Sequence, residues 1–312
     1  MSMNILTSFE SISNLAVDRL FASPSVEITA YRCVVAHRRE SSEQAQPGHV
    51  ISFPHTGAFE IRDREGWTVI DPNLVLFHNA WAPYTTRHPL GGHDSGATLA
   101  VREDILLEVV GRHDPAVAEH PASPFASTHR PLSSRAALLE RMLFRGLTGP
   151  EHFDALLVEE VALHLVETVT APQHERRSGS TATADAGHRQ RAELVEAAKA
   201  LLAGSFRAQL SLSQLAAELA TSPFHLARSF KEHTGLTVHR YLTRLRLRDA
   251  LERLREAPSG LARLAVDLGF DSHSHFTAAF RREYGVTPAA IRKAGIPGQI
   301  LRRMADGAAE RD

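Results

Sequence analysis

The chain has 312 residues, 43% of them hydrophobic, and a formal net charge of −1. That length allows two domains with a core each. A single cysteine, Cys33, excludes an internal disulfide and a multi-cysteine zinc site, and no apolar run approaches the roughly 20 residues needed to cross a bilayer.

The start, MSMNILTSFESISNLAVDRL, lacks a charged beginning followed by a long apolar stretch, so no secretory signal is expected and a cytoplasmic location is. From Val26 to about Val101 the chain reads as short strands between Gly and Pro turns: VEITAYRCVVAH, HVISFPH, AFEIRD, WTVIDP, LVLFHN, APYTTRH and GATLAV. Such spacing favours an antiparallel barrel or sandwich. Tyr31, Phe53, Phe59, Trp67, Phe77, Trp81 and Tyr84 are candidates for lining a pocket, although strand alternation places only some of them inside and ordinary core is the stronger reading. Twelve of the 18 histidines precede His188, but His37, His49, His55, His78, His88 and His93 are scattered, so no metal and no cofactor is expected. Cys33, within YRCVV, reads as buried packing rather than as a nucleophile.

Two helical stretches follow, from Ser133 to Leu147 and from Glu151 to Val169. The second carries Phe153, Leu156, Leu157, Val161, Leu165 and Val169 on one broad face, which would cover the barrel or bind a second copy. Residues from Ala171 to His188 are small and polar, a flexible linker by composition.

Beyond the linker the charge changes. Between His188 and Arg303 there are 19 Lys/Arg against 10 Asp/Glu, a net of +9, and the remainder of the chain is net −10. A basic module on an acidic body suits a phosphate-binding head joined to a sensor, and the modest excess fits selective binding better than bulk DNA packaging.

The basic module repeats itself. SLSQLAAELATSPFHLARSFKEHTG (Ser211 to Gly235) is echoed by SGLARLAVDLGFDSHSHFTAAFRREYG (Ser259 to Gly285). Each copy reads as a short apolar helix, a tight turn, a second helix bearing basic residues, and Gly: a helix-turn-helix pattern. Ser211 with Gln214 forms a capping box, and Leu212, Leu215, Ala216 and Leu219 share one face. Ser222 before Pro223 starts the next helix, with Leu226, Phe230 and His233 turned inward and Gly235 ending it. In the second copy Leu261, Leu264, Ala265 and Leu268 form the stripe, Gly269 serves the turn, and Phe270, Phe276 and Phe280 fill the core. Between the copies, Tyr241, Leu242, Leu245, Ala250, Leu251 and Leu254 make the apolar side of a linking helix, and Arg240, Arg244, Arg248, Arg253 and Arg255 are expected in solvent. Pro258 and Gly260 break that helix.

The segment from about His188 to Lys293 resembles the AraC/XylS-type DNA-binding domain of bacterial transcription regulators. The matching residues are the first unit, Arg246, Leu247 and Ala250 of the linking helix, and then Gly269-Phe270, Ser274, Phe276, Phe280 and Gly285-Val286-Thr287-Pro288. There are departures: Ala220 stands where that family often has Gly, His275 where an aromatic is common, and Ala278 where a basic residue is common. In this context the strand-rich body resembles the cupin-like sensory domain that often accompanies such heads, and the helices after it imply dimerisation.

The resemblance implies an α+β chain: a cupin-like antiparallel β-barrel over 1–132, a helical dimerisation segment over 133–170, a linker over 171–188, an all-α double helix-turn-helix domain over 189–295, and a tail over 296–312. Position within the motif puts Phe224, Ala227, Arg228 and Lys231 against DNA in the first head, and His273, Ser274, Thr277 and Ala278 in the second. Arg228 is the strongest base reader, because guanidinium bonds bidentately to guanine. Ser222, Thr237 and Ser272 are caps whose neighbouring amides suit phosphate. Phe224 reads equally well as a core aromatic. Arg244 and Arg248 read more as a solvated face than as phosphate clamps. The expected activity is sequence-specific transcription regulation without catalysis, on double-stranded operator DNA. RNA polymerase, a small-molecule effector and a second copy of the chain are the expected partners, and no membrane is. One alternative is a cupin-type metalloenzyme fused to a DNA-binding head, against which stands the missing His-x-His pair. Another is a repair fusion using Cys33 as an alkyl acceptor. His273-Ser-His275 has metal-like spacing but no evident further ligands.

Overall fold

A computed structural model describes residues 15–35, 40–63, 66–88, 92–149, 153–171, 186–254 and 260–294. Among the described residues there are nine strands, the last of them after a helix: β1 (Leu15–Ala22), β2 (Val26–Val35), β3 (Val50–Thr56), β4 (Phe59–Arg62), β5 (Trp67–Ile70), β6 (Leu74–His78), β7 (Thr85–Arg87), β8 (Gly92–Val101) and β9 (His129–Pro131). They form two antiparallel sheets, one ordered β1-β2-β8-β3-β6-β9 and one ordered β5-β4-β7. All seven strands expected from alternation are present. The two others, β1 and β9, lie at the edges of the larger sheet, where one-sided pairing weakens the sequence signal.

Register divides the larger sheet into two chemically different faces. Ile28 and Ile51 both pair with Leu99, and this apolar face packs on α1 (Glu103–Gly111), α2 (Ser134–Thr148) and α3 (Ala155–Thr170). One residue along, Thr29 and Ser52 pair with Thr98, and the Thr29 and Thr98 hydroxyls bond at 2.6 Å. That face meets the smaller sheet, where Ile61, Ile70, Leu74, Leu76 and Tyr84 pack together. Of the aromatics expected in a pocket, Phe53 and Phe77 belong to the helix-side core, Tyr84 lies between the sheets and Trp81 is exposed. Trp67 is covered by the guanidinium groups of Arg62 and Arg87, at 5.0 and 3.9 Å from its ring centre.

The expected dimer face is spent inside the molecule. Asp154 caps α3, and Leu157, Val161, Leu165 and Val169 are all buried against the helix-side core. Phe153 packs so closely on Gly146 that a Cβ there would lie 1.8 Å from its ring. Only Leu156 of that set is exposed. Burying an aliphatic side chain stabilises the fold by about 1.5–3 kcal/mol. The stripe therefore answers to the fold before any partner.

The basic region is all helix: α4 (Ala186–Ser205), α5 (Leu212–Glu218), α6 (Pro223–Thr234), α7 (Val238–Arg253), α8 (Gly260–Asp267), α9 (His273–Tyr284) and α10 (Pro288–Ala294). Its two units have separate cores. Leu215, Leu226, Phe230, Tyr241 and Leu245 pack with Val195, Ala198 and Leu202 of α4. Leu247, Leu251, Leu264, Leu268, Phe276 and Phe280 form the second core, which is continuous with that of the strand-rich body.

Polar ties accompany that continuity. Tyr241 donates its hydroxyl to buried Asp71 at 2.6 Å, and the Val69 amide donates to Glu196 at 2.6 Å. Arg141 pairs with Glu252, whose carbonyl accepts from Arg145 at 2.7 Å, and His55 bonds Glu140 at 2.9 Å. Arg248 is part of this seam. Its guanidinium donates to the Leu132 carbonyl at 2.9 Å and to the Tyr284 hydroxyl at 3.4 Å, and the residue is buried rather than in solvent. Arg244, expected exposed, is likewise half-buried and pairs with Glu283 at 2.7 Å. Arg255 and most of the linker lie outside the described residues.

Candidate nucleic-acid interface

Each reading unit is assembled by caps that the sequence spells out. Ser211 and Gln214 close the capping box at the start of α5. Ser222 accepts the His225 amide at 3.1 Å, Thr237 that of Arg240 at 3.2 Å, and Ser272 that of His275 at 3.1 Å. Gly235 and Gly285 end the two reading helices α6 and α9 in left-handed conformation, with φ of 72° and 75°. The turns between paired helices also match: Thr221 N donates to Ala216 O and Phe270 N to Ala265 O, both at 2.9 Å. At the same point of the turn stand Ala220, with φ 51°, and Gly269, with φ 82°. The alanine thus adopts the turn that the glycine adopts, at a steric cost the glycine does not have.

The reading helices present matching surfaces. Residues 222–230 and 272–280 have the same order of exposed, partly buried and buried positions. Leu226, Ser229 and Phe230 are buried in α6 as Phe276, Ala279 and Phe280 are in α9. The outward positions pair Phe224 with Ser274, Ala227 with Thr277, Arg228 with Ala278 and Lys231 with Arg281. Phe224 is 76% exposed, which removes the reading of it as a core aromatic. Ala227 and Thr277 are half-buried, and Ser222, Arg228, Lys231, Thr237, Ser272, His273, Ser274 and Ala278 are exposed. None of these positions is covered by the strand-rich body.

The two heads differ in charge. Arg228 is held to Glu232 one turn along at 2.8 Å, and that hydrogen bond raises its pKa and lowers the glutamate's. In the second head Ala278 supplies no cation, and the exposed Arg281 and Arg282 sit one turn later. Motif position alone points to 278 for the cation of this helix, and the exposure of Arg281 on the same side is visible only in the structure. His273 lies 3.4 Å from the Thr277 hydroxyl, and the His275 ring stands edge-on to Phe270. Both histidines are on the exposed side of α9. Leu212 is exposed and His233 is turned toward Glu196 at 3.5 Å, so neither belongs to the buried stripe expected of them.

Arg246 performs a structural task. It donates to the Phe206 and Ala208 carbonyls at 2.7 and 2.8 Å, and a Cβ at position 269 would lie 2.9 Å from its Nη2. One arginine thereby ties the loop after α4 to the turn of the second unit.

Comparison with known proteins agrees with the helical region. Residues 215–294 match a family model described as "Helix-turn-helix domain". Over 94 residues the chain is 40% identical to the HTH-type transcriptional activator RhaS of Escherichia fergusonii, a match covering 30% of this chain and 34% of that protein. RhaS of Salmonella arizonae is 37% identical over 94 residues, with the same coverage. The chain thus spans about a third of the length of the curated relatives it matches. Among solved structures, a transcriptional regulator of Chromobacterium violaceum described as containing an AraC-type DNA-binding domain is 26% identical. That match covers 35% of this chain and 94% of the other, with a TM-score of 0.31. ToxT of Vibrio cholerae O395 is 11% identical, covering 91% of this chain and all of that one, with a TM-score of 0.34. With two capped units and the family match on the same residues, residues 215–294 form a helix-turn-helix domain.

Proposed function

We propose that this protein is a sequence-specific DNA-binding transcription regulator of the cytoplasm, with the strand-rich body acting as a cupin-like sensor rather than as an enzyme. The observation that carries the reading is the repeated exposure pattern of α6 and α9, two reading helices held by one intervening helix and left uncovered. In the first head Arg228 would release Glu232 and bond guanine, while Phe224 and Ala227 would meet thymine methyl groups. Lys231, with Ser222 and Thr237 at the caps, would hold phosphates. The second head would read with His273, Ser274 and Thr277, with Ala278 giving only apolar contact, and would anchor through Ser272 and Arg281. Relatives named as transcriptional activators favour RNA polymerase as the downstream partner.

Because the second unit shares its core with the body, an effector that alters the body would also alter the placing of that unit. Selection of bound sequences from a random DNA pool, using the full chain, tests the reading. A two-part preferred site with strongly salt-dependent affinity is expected. On that site Arg228→Ala should cost about 1–3 kcal/mol and relax one base position. Equal loss on every sequence would make Arg228 a phosphate contact, and the absence of any enriched sequence would remove the proposal.

A further inference from the structure

The face of the larger sheet that looks toward the smaller one carries a cluster unrelated to DNA. Cys33 on β2 and Asp94 on β8 are direct cross-strand partners, so their side chains leave the sheet on the same side. His88, just after β7, reaches the same spot and places Nε2 2.6 Å from Asp94 Oδ1. The Cys33 sulfur, a His88 ring nitrogen and an Asp94 oxygen all lie within 4.8 Å of one another, and all three residues are buried. The backbone beneath is tightly held. Gly57, in the turn after β3, has φ 77°, and a Cβ there would lie 2.3 Å from the His93 carbonyl and 2.9 Å from the Asp94 Cα.

We propose that Cys33, His88 and Asp94 form a site for one divalent transition-metal ion of the zinc type, with a fourth coordination position left to water. A thiolate, an imidazole and a carboxylate together are the donor set that such borderline ions accept, and tetrahedral zinc sites with three protein ligands keep the fourth position open. Ligand atoms on one such ion stand roughly 3–4 Å apart, given bonds of about 2.0–2.3 Å. The separations in the cluster, from 2.6 Å between His88 Nε2 and Asp94 Oδ1 to no more than 4.8 Å overall, bracket that spacing. A His–Asp pair alone would satisfy His88 and Asp94; the metal would add the buried thiol that stands beside them. Cys33 lies 55 residues before His88 and 61 before Asp94, so no motif announces the site; antiparallel register and the packing of His88 on Asp94 create it.

Binding closes the thiol's proton balance simply: Cys33 gives its proton to solvent as the metal–sulfur bond forms. The single cysteine makes the test clean. Full-length protein, freed of any histidine tag and stripped with a chelator, is titrated with Co²⁺ and then with Zn²⁺. Near-ultraviolet thiolate-to-cobalt absorption must come from Cys33, and it should saturate at one equivalent and vanish when Zn²⁺ is added. Cys33→Ser should abolish the band, and His88→Ala or Asp94→Asn should weaken binding at least about 100-fold, the upper end seen for outer-shell changes. Unaltered near-ultraviolet circular dichroism in each apo variant separates lost ligation from lost folding; a variant that fails it is replaced by His88→Gln or Asp94→Ser. A wild type without the thiolate band, or a band that survives loss of both His88 and Asp94, overturns the site.

Discussion

Arg248→Met separates what position in a basic helix suggests from what packing decides. Methionine keeps most of the apolar stem and removes the guanidinium. The 2.9 Å bond to the Leu132 carbonyl is buried and charge-assisted, a kind worth about 1.5–3 kcal/mol. The 3.4 Å contact with Tyr284 adds little, and Arg248 Nε, which is buried without a partner, costs something in the native protein. The net loss of stability should therefore be about 1–2 kcal/mol, since relief of that buried nitrogen offsets part of the lost bond. Urea unfolding of the full chain measures this change. DNA titrations at several salt concentrations measure the other half: no phosphate contact is lost, so the slope of log K against log salt should not change. Unchanged stability with a slope smaller by about 0.9 would show that Arg248 is a phosphate clamp and no part of the seam.

Ala220→Gly should stabilise the first unit by up to about 1 kcal/mol, because a left-handed residue with a Cβ costs roughly 1–2 kcal/mol and the glycine's unfolded-chain entropy returns about 0.4–1; lower thermal stability would contradict the turn geometry. Leu157→Glu should unfold the strand-rich body rather than dissociate a dimer, since Leu157 lies in the helix-side core; sedimentation showing a folded monomer from a dimeric parent would restore α3 as an interface. Burial holds His78 at a pKa of about 4, and burial together with nearby Lys199 holds His129 at about 4, against 6.5 for the free group. The unfolded chain therefore binds these protons first. Stability should fall as pH drops from 6.5 toward 4, by at most about 3 kcal/mol for each residue. Burial raises the Glu196 pKa, but His233, Lys199 and the Val69 amide outweigh it and hold the group near 2, so its contribution is lost only below 4.5. Unfolding midpoints at pH 7.5, 6 and 5 check the slope, and a flat profile between 7.5 and 5 would remove the claim.

What the sequence by itself determined is mostly local. Ser211 with Gln214, Ser222 before Pro223, Thr237, Ser272, Gly235 and Gly285 mark helix ends, because caps act through amides within a turn of the residue that supplies them. Apolar alternation located β2 to β8, and helical spacing located the buried sides of α6, α7 and α9. Which face of those helices stays exposed was legible too, since a helix buries one side and leaves the other. Tertiary structure decided whatever depends on a partner distant in the chain. Arg244, Arg246 and Arg248 look alike in sequence, yet one pairs with Glu283, one caps carbonyls after α4, and one reaches back to Leu132. Leu157, Val161 and Leu165 form a stripe that periodicity cannot assign to a core or to a second molecule; the packing of α3 assigns it to the core. Cys33, His88 and Asp94 converge only through antiparallel register, in which each side chain's neighbours are set by hydrogen bonds between strands rather than by spacing along one.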